Sequence, residues 1–253
     1  MRFSVIIPNY NNAQYINRCL ESVITQTFTD FEIIFVDDMS TDNSVELARK
    51  NLRPQDKLII NKSKRLNGGT RNVGIVEATG DYIICLDSDD FFKDNNVFED
   101  INNKLQNNVD VLFLGYDTYF GPRSIIPYNP EHTDIMQALK NCVCAIWTKV
   151  VKTSIMKETL FPEGTLFEDR VQHYRTLMKC KTFDCLPRSV ITWDRTNSKS
   201  TSQRGLDFYR YEFYYAGELF QLIRETENPD LKEYFKQELQ GYVKHTAEMV
   251  SEL

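Results

Sequence analysis

The chain predicts an α/β fold: a mostly parallel sheet flanked by helices, followed by a C-terminal helical hairpin. Three observations carry the prediction. Short apolar, β-branched runs alternate with segments of helical spacing between residues 3 and 90. Several of those runs end in a polar or acidic cluster. From Leu206 onward the pattern changes to long aromatic stripes of helical period.

Taken in order, Phe3–Ile7 reads as a first strand, stopped by Pro8 and Asn9. Gln14–Ile24 places Ile16, Cys19, Leu20, Val23 and Ile24 on one helical face. Phe31–Val36 is a second strand, running into Asp37 and Asp38. Thr41, Asp42, Asn43 and Ser44 offer N-caps for a helix carrying Val45, Leu47 and Ala48. Leu58–Ile60 is a third strand, followed by a turn at Asn67-Gly68-Gly69 and a helix over Thr70–Ala78. Tyr82–Leu86 is a fourth strand, ending at Asp87-Ser88-Asp89-Asp90.

The next part is less regular. Val109–Leu114 predicts a strand, and Gly121–Pro130, with three prolines, a loop. Val143–Trp147 and Val190–Trp193 read as short strands. Phe208, Tyr211, Tyr215, Leu219 and Leu222 form one helical stripe. After a break at Asn228-Pro229, Leu231, Phe235, Leu239 and Tyr242 begin another. The expected division is a catalytic domain over 1–205 and a helical appendage over 206–253.

The chain has 253 residues, 42% hydrophobic and 26% charged, with a net charge of -6. That length buries a full core without staples. The acidic balance argues against nucleic acid as a partner, since phosphate backbones attract excess Lys and Arg. No apolar run approaches the roughly 18–20 residues that span a bilayer, and the N-terminal apolar stretch is short for a signal peptide. The expected location is cytoplasmic, with at most peripheral contact at the inner membrane face. The six cysteines contain no C-x-x-C pair and read as reduced, mostly buried thiols.

Near-continuous apolar strands imply a sheet covered on both faces. Right-handed crossovers bring the strand C-termini to one edge, where open α/β sheets bind ligands. Asp37-Asp38 and Asp87–Asp90 therefore belong to one ligand edge. Two carboxylates about 4 Å apart repel by about 4 kcal/mol at an effective dielectric near 20. A hard divalent cation, Mn2+ or Mg2+, removes that penalty and completes its shell with phosphate oxygens. The cluster thus predicts a metal–diphosphate site.

Four ordered segments carry a resemblance. Ser4–Asn11, Phe31–Asp42, Asn67–Ile75 with Ala78–Ile83, and Leu86–Asp90 resemble the successive motifs of family 2 glycosyltransferases, which have the GT-A fold. A weaker match continues through Ala145–Lys149, Glu168-Asp169 and Arg195–Ser200. The resemblance implies an inverting, metal-dependent transfer from a nucleoside diphosphate sugar, most commonly UDP-linked. The acceptor is a glycan, glycolipid or protein, typically in surface glycan synthesis. It also implies roles. Pro8, Asn9 and Tyr10, with Asp37 or Asp38, grip the base, and Arg71 or Arg65 lies beside it. Asp87 and Ser88 contact the donor, Asp87 at the ribose, and Asp89, with Asp87, holds the cation. Asp169 is the general base, and Glu168 meets donor sugar or acceptor. Arg195 and Ser200 belong to a loop over the diphosphate, to which Lys199 and Arg204 add charge.

Some residues keep two readings. Trp147 is a sugar-stacking platform or a core tryptophan. His173, four residues after Asp169, reads as structural, and His132 and His245 lack acidic partners that would suggest a metal. The C-terminal stripe packs on the core, docks at a membrane or forms a homo-oligomer. Two alternatives to the transferase are a non-catalytic sugar-nucleotide-binding homologue and a sugar-1-phosphate nucleotidyltransferase. The second is disfavoured because its glycine loop follows the first strand, whereas Gly68-Gly69 follow the third.

Overall fold

The computed structural model describes residues 1–121, 124–141, 143–165, 168–197 and 208–251, excluding the side chains of 208–213 and 245–251. Ser200, Lys199, Arg204, Cys142 and the side chain of His245 lie outside the described residues. The chain divides into two compact units, Met1–Ser200 and Thr201–Leu253.

The first unit is built on one nine-stranded sheet. Its strands are β1 (Phe3–Asn9), β2 (Phe31–Asp37), β3 (Lys57–Ile60), β4 (Tyr82–Cys85), β5 (Phe91–Phe92), β6 (Val111–Tyr119), β7 (Ile125–Tyr128), β8 (Lys149–Lys152) and β9 (Phe183–Asp194). The order is β3-β2-β1-β4-β8-β6-β9-β5, with β7 on β6. The half β3-β2-β1-β4 is parallel. Strand β8 runs antiparallel between β4 and β6, and β9 runs parallel to β6. This direction pattern brings the C-terminal ends of β1, β2, β4, β6 and β9, and the start of β8, to one edge.

Burial explains the parallel half: every residue of β1, β2 and β4 is buried, as a two-face-covered sheet requires. Helix α1 (Ala13–Ile24) buries Ile16, Cys19, Leu20 and Val23 on its apolar face. Helix α2 is Ser44–Asn51, and the Asp42 carboxylate accepts from the Ser44 amide at 3.0 Å and from the Ala13 amide at 3.0 Å, joining the starts of both helices. Glu32, buried on β2, accepts from Ser4 Oγ at 2.8 Å and from the Thr79 amide and hydroxyl at 2.8 and 2.7 Å. Those bonds tie β1 and β2 to the turn before β4.

Helix α3 spans Leu66–Glu77 and corrects the expected turn at Asn67-Gly68-Gly69, because both glycines lie inside the helix. They are there for close approach. A Cβ on Gly68 would sit 2.7 Å from Glu168 Cγ and 2.9 Å from the Pro162 carbonyl oxygen. Gly68→Ala would gain about 1 kcal/mol of helix propensity, against about 1–3 kcal/mol for overpacking. The obstacle includes backbone, so the clash wins. Gly68→Ala is expected to lower the melting temperature by a few degrees, on the scale of about 2–4 °C per kcal/mol. A differential scanning experiment reads it, and a variant more stable than wild type would refute the packing argument.

The less regular segment differs from expectation in three places. Ile125–Tyr128, expected within a loop, is strand β7. It is a sheet edge, where Pro127 costs little. Val143–Trp147, expected as a strand, ends in a 3-10 turn over Ile146–Thr148, and the strand β8 follows it. Val190–Trp193 is the end of the twelve-residue β9. Helices α4 (Val97–Lys104), α5 (Ile135–Asn141), α6 (Thr153–Glu158) and α7 (Glu168–Lys179) complete the unit. Strand β9 carries irregularities opposite Leu114–Tyr116, where Leu186, Ser189 and Ile191 pair with three consecutive residues of β6.

The second unit is a helix pair, α8 (Phe208–Glu225) and α9 (Pro229–Ser251), broken at Asn228-Pro229. Leu219, Leu222 and Phe235 are buried, and the rings of Tyr215 and Tyr242 lie 5.4 Å apart. Among the described residues no helix is long and apolar enough to cross a membrane.

Candidate active site

The loops after β1, β2 and β3 are held by a polar network. Asn9 Nδ2 donates to Asp37 Oδ2 at 2.8 Å and to Ser40 Oγ at 3.1 Å, and Asp37 Oδ1 accepts from the Ser40 amide at 2.8 Å. Asp38 accepts from Asn61 Nδ2 and the Arg65 amide at 2.9 Å each, and from the Leu66 amide at 3.1 Å. Asp38 therefore anchors the start of α3, where backbone amides point outward. Pro8 is buried within β1, whereas Tyr10 is 41% exposed, with the Lys64 ammonium over its ring. Asn11 and Met39, in the loops after β1 and β2, and Leu66, at the first residue of α3, have left-handed backbone (φ 53°, 63° and 60°). Non-glycine residues in that region are uncommon and concentrate at binding sites.

The centre of the site is Arg71. Its side chain, 2% exposed, reaches from α3 between three carboxylates. Nη2 donates to Asp87 Oδ1 at 2.7 Å, and Nη1 donates to Glu168 Oε1 at 2.9 Å and Asp169 Oδ1 at 3.1 Å. Arg71, expected beside a base, has the N–H edge of its guanidinium turned to these three acids. Arg65, the alternative expected there, pairs with Glu163 at 3.1 Å. Burial alone would lower Arg71, but Asp87, Asp169 and Glu168 outweigh it and raise it well above its ordinary value.

Burial, with Asp169 alongside, pushes the Glu168 carboxyl up to about 7. Asp169 is raised too, first by burial and then by Asp87, while Arg71 and Lys149 oppose the shift. Lys149 opens β8 and is itself buried; its ammonium donates to the Ala145 carbonyl at 2.8 Å and to Thr148 Oγ1 at 2.9 Å.

Beyond Asp87, the turn carries Ser88, Asp89 and Asp90. Ser88 Oγ accepts from Asn12 Nδ2 at 2.9 Å. Asp89 Oδ2 accepts from Asn197 Nδ2 at 2.7 Å, and burial with Asp87 nearby pushes its carboxyl up to about 6. Asp90 is 1% exposed; its Oδ1 accepts from the Asp194 amide at 2.8 Å, and burial raises it well above the carboxylate range.

This donor set fits a hard cation in one way. Clustered carboxylates whose repulsion raises their proton affinity are what a divalent ion relieves. Among the described residues no three His, Cys, Asp or Glu side chains gather into a closed cage. Mg2+ and Mn2+ commonly take one or two carboxylates and fill the rest of the shell with phosphate and water, so Asp89 with Asp87 suffices if a diphosphate is present.

One expected contact is moved. Trp147 is 3% exposed, with Tyr116 edge-on at 4.9 Å and Trp193 at 5.5 Å, so it is a core residue and not a stacking platform. Arg195 lies with its guanidinium 4.6 Å from the Trp193 ring centroid, at the turn after β9. His173 is fully buried, and burial holds it well below its ordinary value. Sequence reasoning missed Asn61, Asn12, Arg18, Asp194, Asn197 and the burial of Lys149. Asn61 follows β3 directly, so the strand-end rule that selected Asp38 would have found it. Asn12 lies in the loop after β1, and the others close onto the site from distant positions and carry no local signal.

Comparison with known proteins agrees with this geometry. The sequence profile described as Glycosyl transferase family 2 matches residues 4–171. The glycosyltransferase GlyG of Streptococcus pneumoniae is 27% identical over 191 residues, covering 68% of this chain and 64% of GlyG. The Escherichia coli UDP-Glc:alpha-D-GlcNAc-diphosphoundecaprenol beta-1,3-glucosyltransferase WfgD is 29% identical over 161 residues, 63% of each chain. The chain thus spans less than two thirds of either relative. Residues 1–349 of Staphylococcus aureus TarS, solved with UDP-GlcNAc, superpose with a TM-score of 0.76 at 25% identity, covering 96% of this chain and 72% of that one. The fold is of the GT-A type. With the profile spanning well over half of the sequence and the Asp87–Asp90 turn on the ligand edge of such a sheet, the chain belongs to glycosyl transferase family 2.

Proposed function

We propose that residues 1–205 form the catalytic domain of an inverting glycosyltransferase that moves a sugar from a UDP-sugar to an acceptor hydroxyl in surface glycan synthesis. The observation that carries the reading is the convergence of Asp87, Glu168 and Asp169 on Arg71, with Asp89 beside them. The donor class is supported by the UDP-sugar in the TarS complex and in the name of WfgD. The acceptor class is a glycan, glycolipid or protein; among the relatives, WfgD acts on an undecaprenol-linked GlcNAc.

In this mechanism Tyr10 and the strand-end loops at Asp37 and Asp38 hold the nucleotide, and Asp87 and Ser88 hold its ribose side. Asp89, with Asp87, would hold a divalent cation, and the charge that such an ion supplies would favour departure of the diphosphate. The acceptor oxygen bonds to the anomeric carbon as the bond from that carbon to the phosphate oxygen breaks; UDP leaves with the electron pair. Attack opposite the leaving group inverts the centre. Asp169 takes the acceptor proton, and Arg71 holds Asp169 in place while Glu168 lies against α3. Arg195, whose guanidinium lies over Trp193, and Ser200 are assigned to the diphosphate.

The test is release of free UDP from UDP-sugars with Mn2+ or Mg2+, with and without EDTA. Release that EDTA abolishes is expected. Asp89→Ala is expected to remove metal-dependent donor binding, read as loss of the UDP-induced rise in melting temperature. Absence of release with every donor and acceptor tried, together with no thermal shift from UDP, would overturn the proposal.

A further inference from the structure

Arg18, on α1, is not part of the catalytic chemistry above, yet it touches the turn that bears Asp89. Its Nη2 donates to the Asp89 main-chain oxygen at 2.6 Å and pairs with Asp194 Oδ2 at 2.8 Å. The guanidinium carbon lies 4.4 Å from the Phe91 ring centroid and 5.4 Å from that of Tyr15. One nitrogen makes both polar contacts, and the stacking of the guanidinium plane on the aromatic rings fixes where that nitrogen points, which a flexible lysine does not reproduce.

The pair closes a ring of contacts. Asp194, at the end of β9, is 3% exposed. Its Oδ1 accepts from the Thr196 amide and hydroxyl at 2.9 and 2.5 Å, shaping the turn that presents Asn197. Asn197 donates to Asp89 Oδ2 at 2.7 Å, and the Asp194 amide donates to Asp90 Oδ1 at 2.8 Å. Asp89 is therefore held at its backbone by Arg18 and at its carboxylate by the turn that Asp194 organises.

We propose that Arg18 and Asp194 are a positioning pair that sets the Asp89 carboxylate for a divalent cation and joins the 195–197 turn to it. The inference rests on the metal-dependent reading above. Its sign separates it from a charge effect. Removing a nearby positive charge favours binding of another cation, so a purely electrostatic Arg18 predicts tighter Mn2+ binding by Arg18→Met. A positioning Arg18 predicts weaker binding.

The test titrates Mn2+ into the full chain with UDP present, by calorimetry. Wild type is expected to bind. Arg18→Met and Arg18→Lys are each expected to raise the Mn2+ Kd by about tenfold, the second although it keeps the charge. Activity at saturating Mn2+ is expected to recover most of the wild-type kcat. Asp194→Asn, which keeps the hydrogen-bond acceptor for Thr196, is expected to weaken Mn2+ similarly, and the double variant no more than either single change. Should Arg18→Met fold poorly, Arg18→Lys and Asp194→Asn carry the test. Unchanged or tighter Mn2+ binding by Arg18→Lys overturns the pair while leaving the transferase reading intact. Failure of wild type itself to bind Mn2+ with UDP overturns both the metal-dependent reading and the pair.

Discussion

Arg71→Met is expected to cost the fold more than any other single change at the site. The substitution keeps most of the apolar stem but leaves Asp87, Glu168 and Asp169 without their shared cation. Breaking a buried ion pair from one side costs about 3–5 kcal/mol, because the remaining charge stays buried and uncompensated. Here three carboxylates lose one partner, and two of them already bind protons more tightly than free carboxyls. A fall in melting temperature on the order of 10 °C is expected for a unit of this size. Arg71→Lys is expected to recover part of the stability and little of the activity, since a point charge cannot hold three acids in a fixed geometry. A methionine variant melting within about 2 °C of wild type would mean that the acids are solvated and the cluster is not a closed network.

Asp169→Asn is expected to have the largest effect on turnover with the least effect on binding. Asparagine retains an oxygen for Arg71 but cannot accept a proton from the acceptor hydroxyl. The expected loss is about 10²–10⁴-fold in kcat, with UDP affinity within about threefold of wild type. The pH dependence follows from sign. As the proposed base, Asp169 would act as a carboxylate, and its pKa is raised in the folded protein, so activity is expected to fall as pH drops through a value above the ordinary 3.8. Asp89, pushed up to about 6, adds a second acid limb through its hold on the cation. The limbs are separable. Mn2+ competes with the proton at Asp89, so raising Mn2+ moves that limb to lower pH, whereas the Asp169 limb stays and disappears in Asp169→Asn. Full activity in Asp169→Asn would remove it as the base.

The parallel half of the fold was legible because its strands are apolar on both faces and each loop at its ligand edge announces itself. Asp38 and Asp87–Asp90 stand directly after apolar runs. What was not legible depends on approach between distant segments. Gly68 and Gly69 read as a turn because glycine usually breaks a helix; only the nearness of Glu168 and Pro162 shows why a helix needs them. Arg71 carries the same letter whether it faces a base or three acids 16 to 98 residues away. Trp147 looked equally suited to a surface platform, and its burial under Tyr116 and Trp193 is a property of the sheet's second half, where periodicity was weak.

The irregular pairing of β9 with β6 has a consequence for chain length. Between Leu186 and Ile191 the strand takes up residues that β6 does not match, and a side chain on Gly115 would strike the Arg188 carbonyl there. Asp194 arrives opposite Tyr119 because of that surplus. A one-residue deletion in 187–190 would draw Asp194 back by about 3.3 Å and turn it to the opposite face. Arg18 would then lose its carboxylate, and Asn197 its reach to Asp89. This short stretch therefore works as a length gauge: loops elsewhere on the surface tolerate insertions and deletions, whereas here the count of residues sets the address of the contacts that hold Asp89.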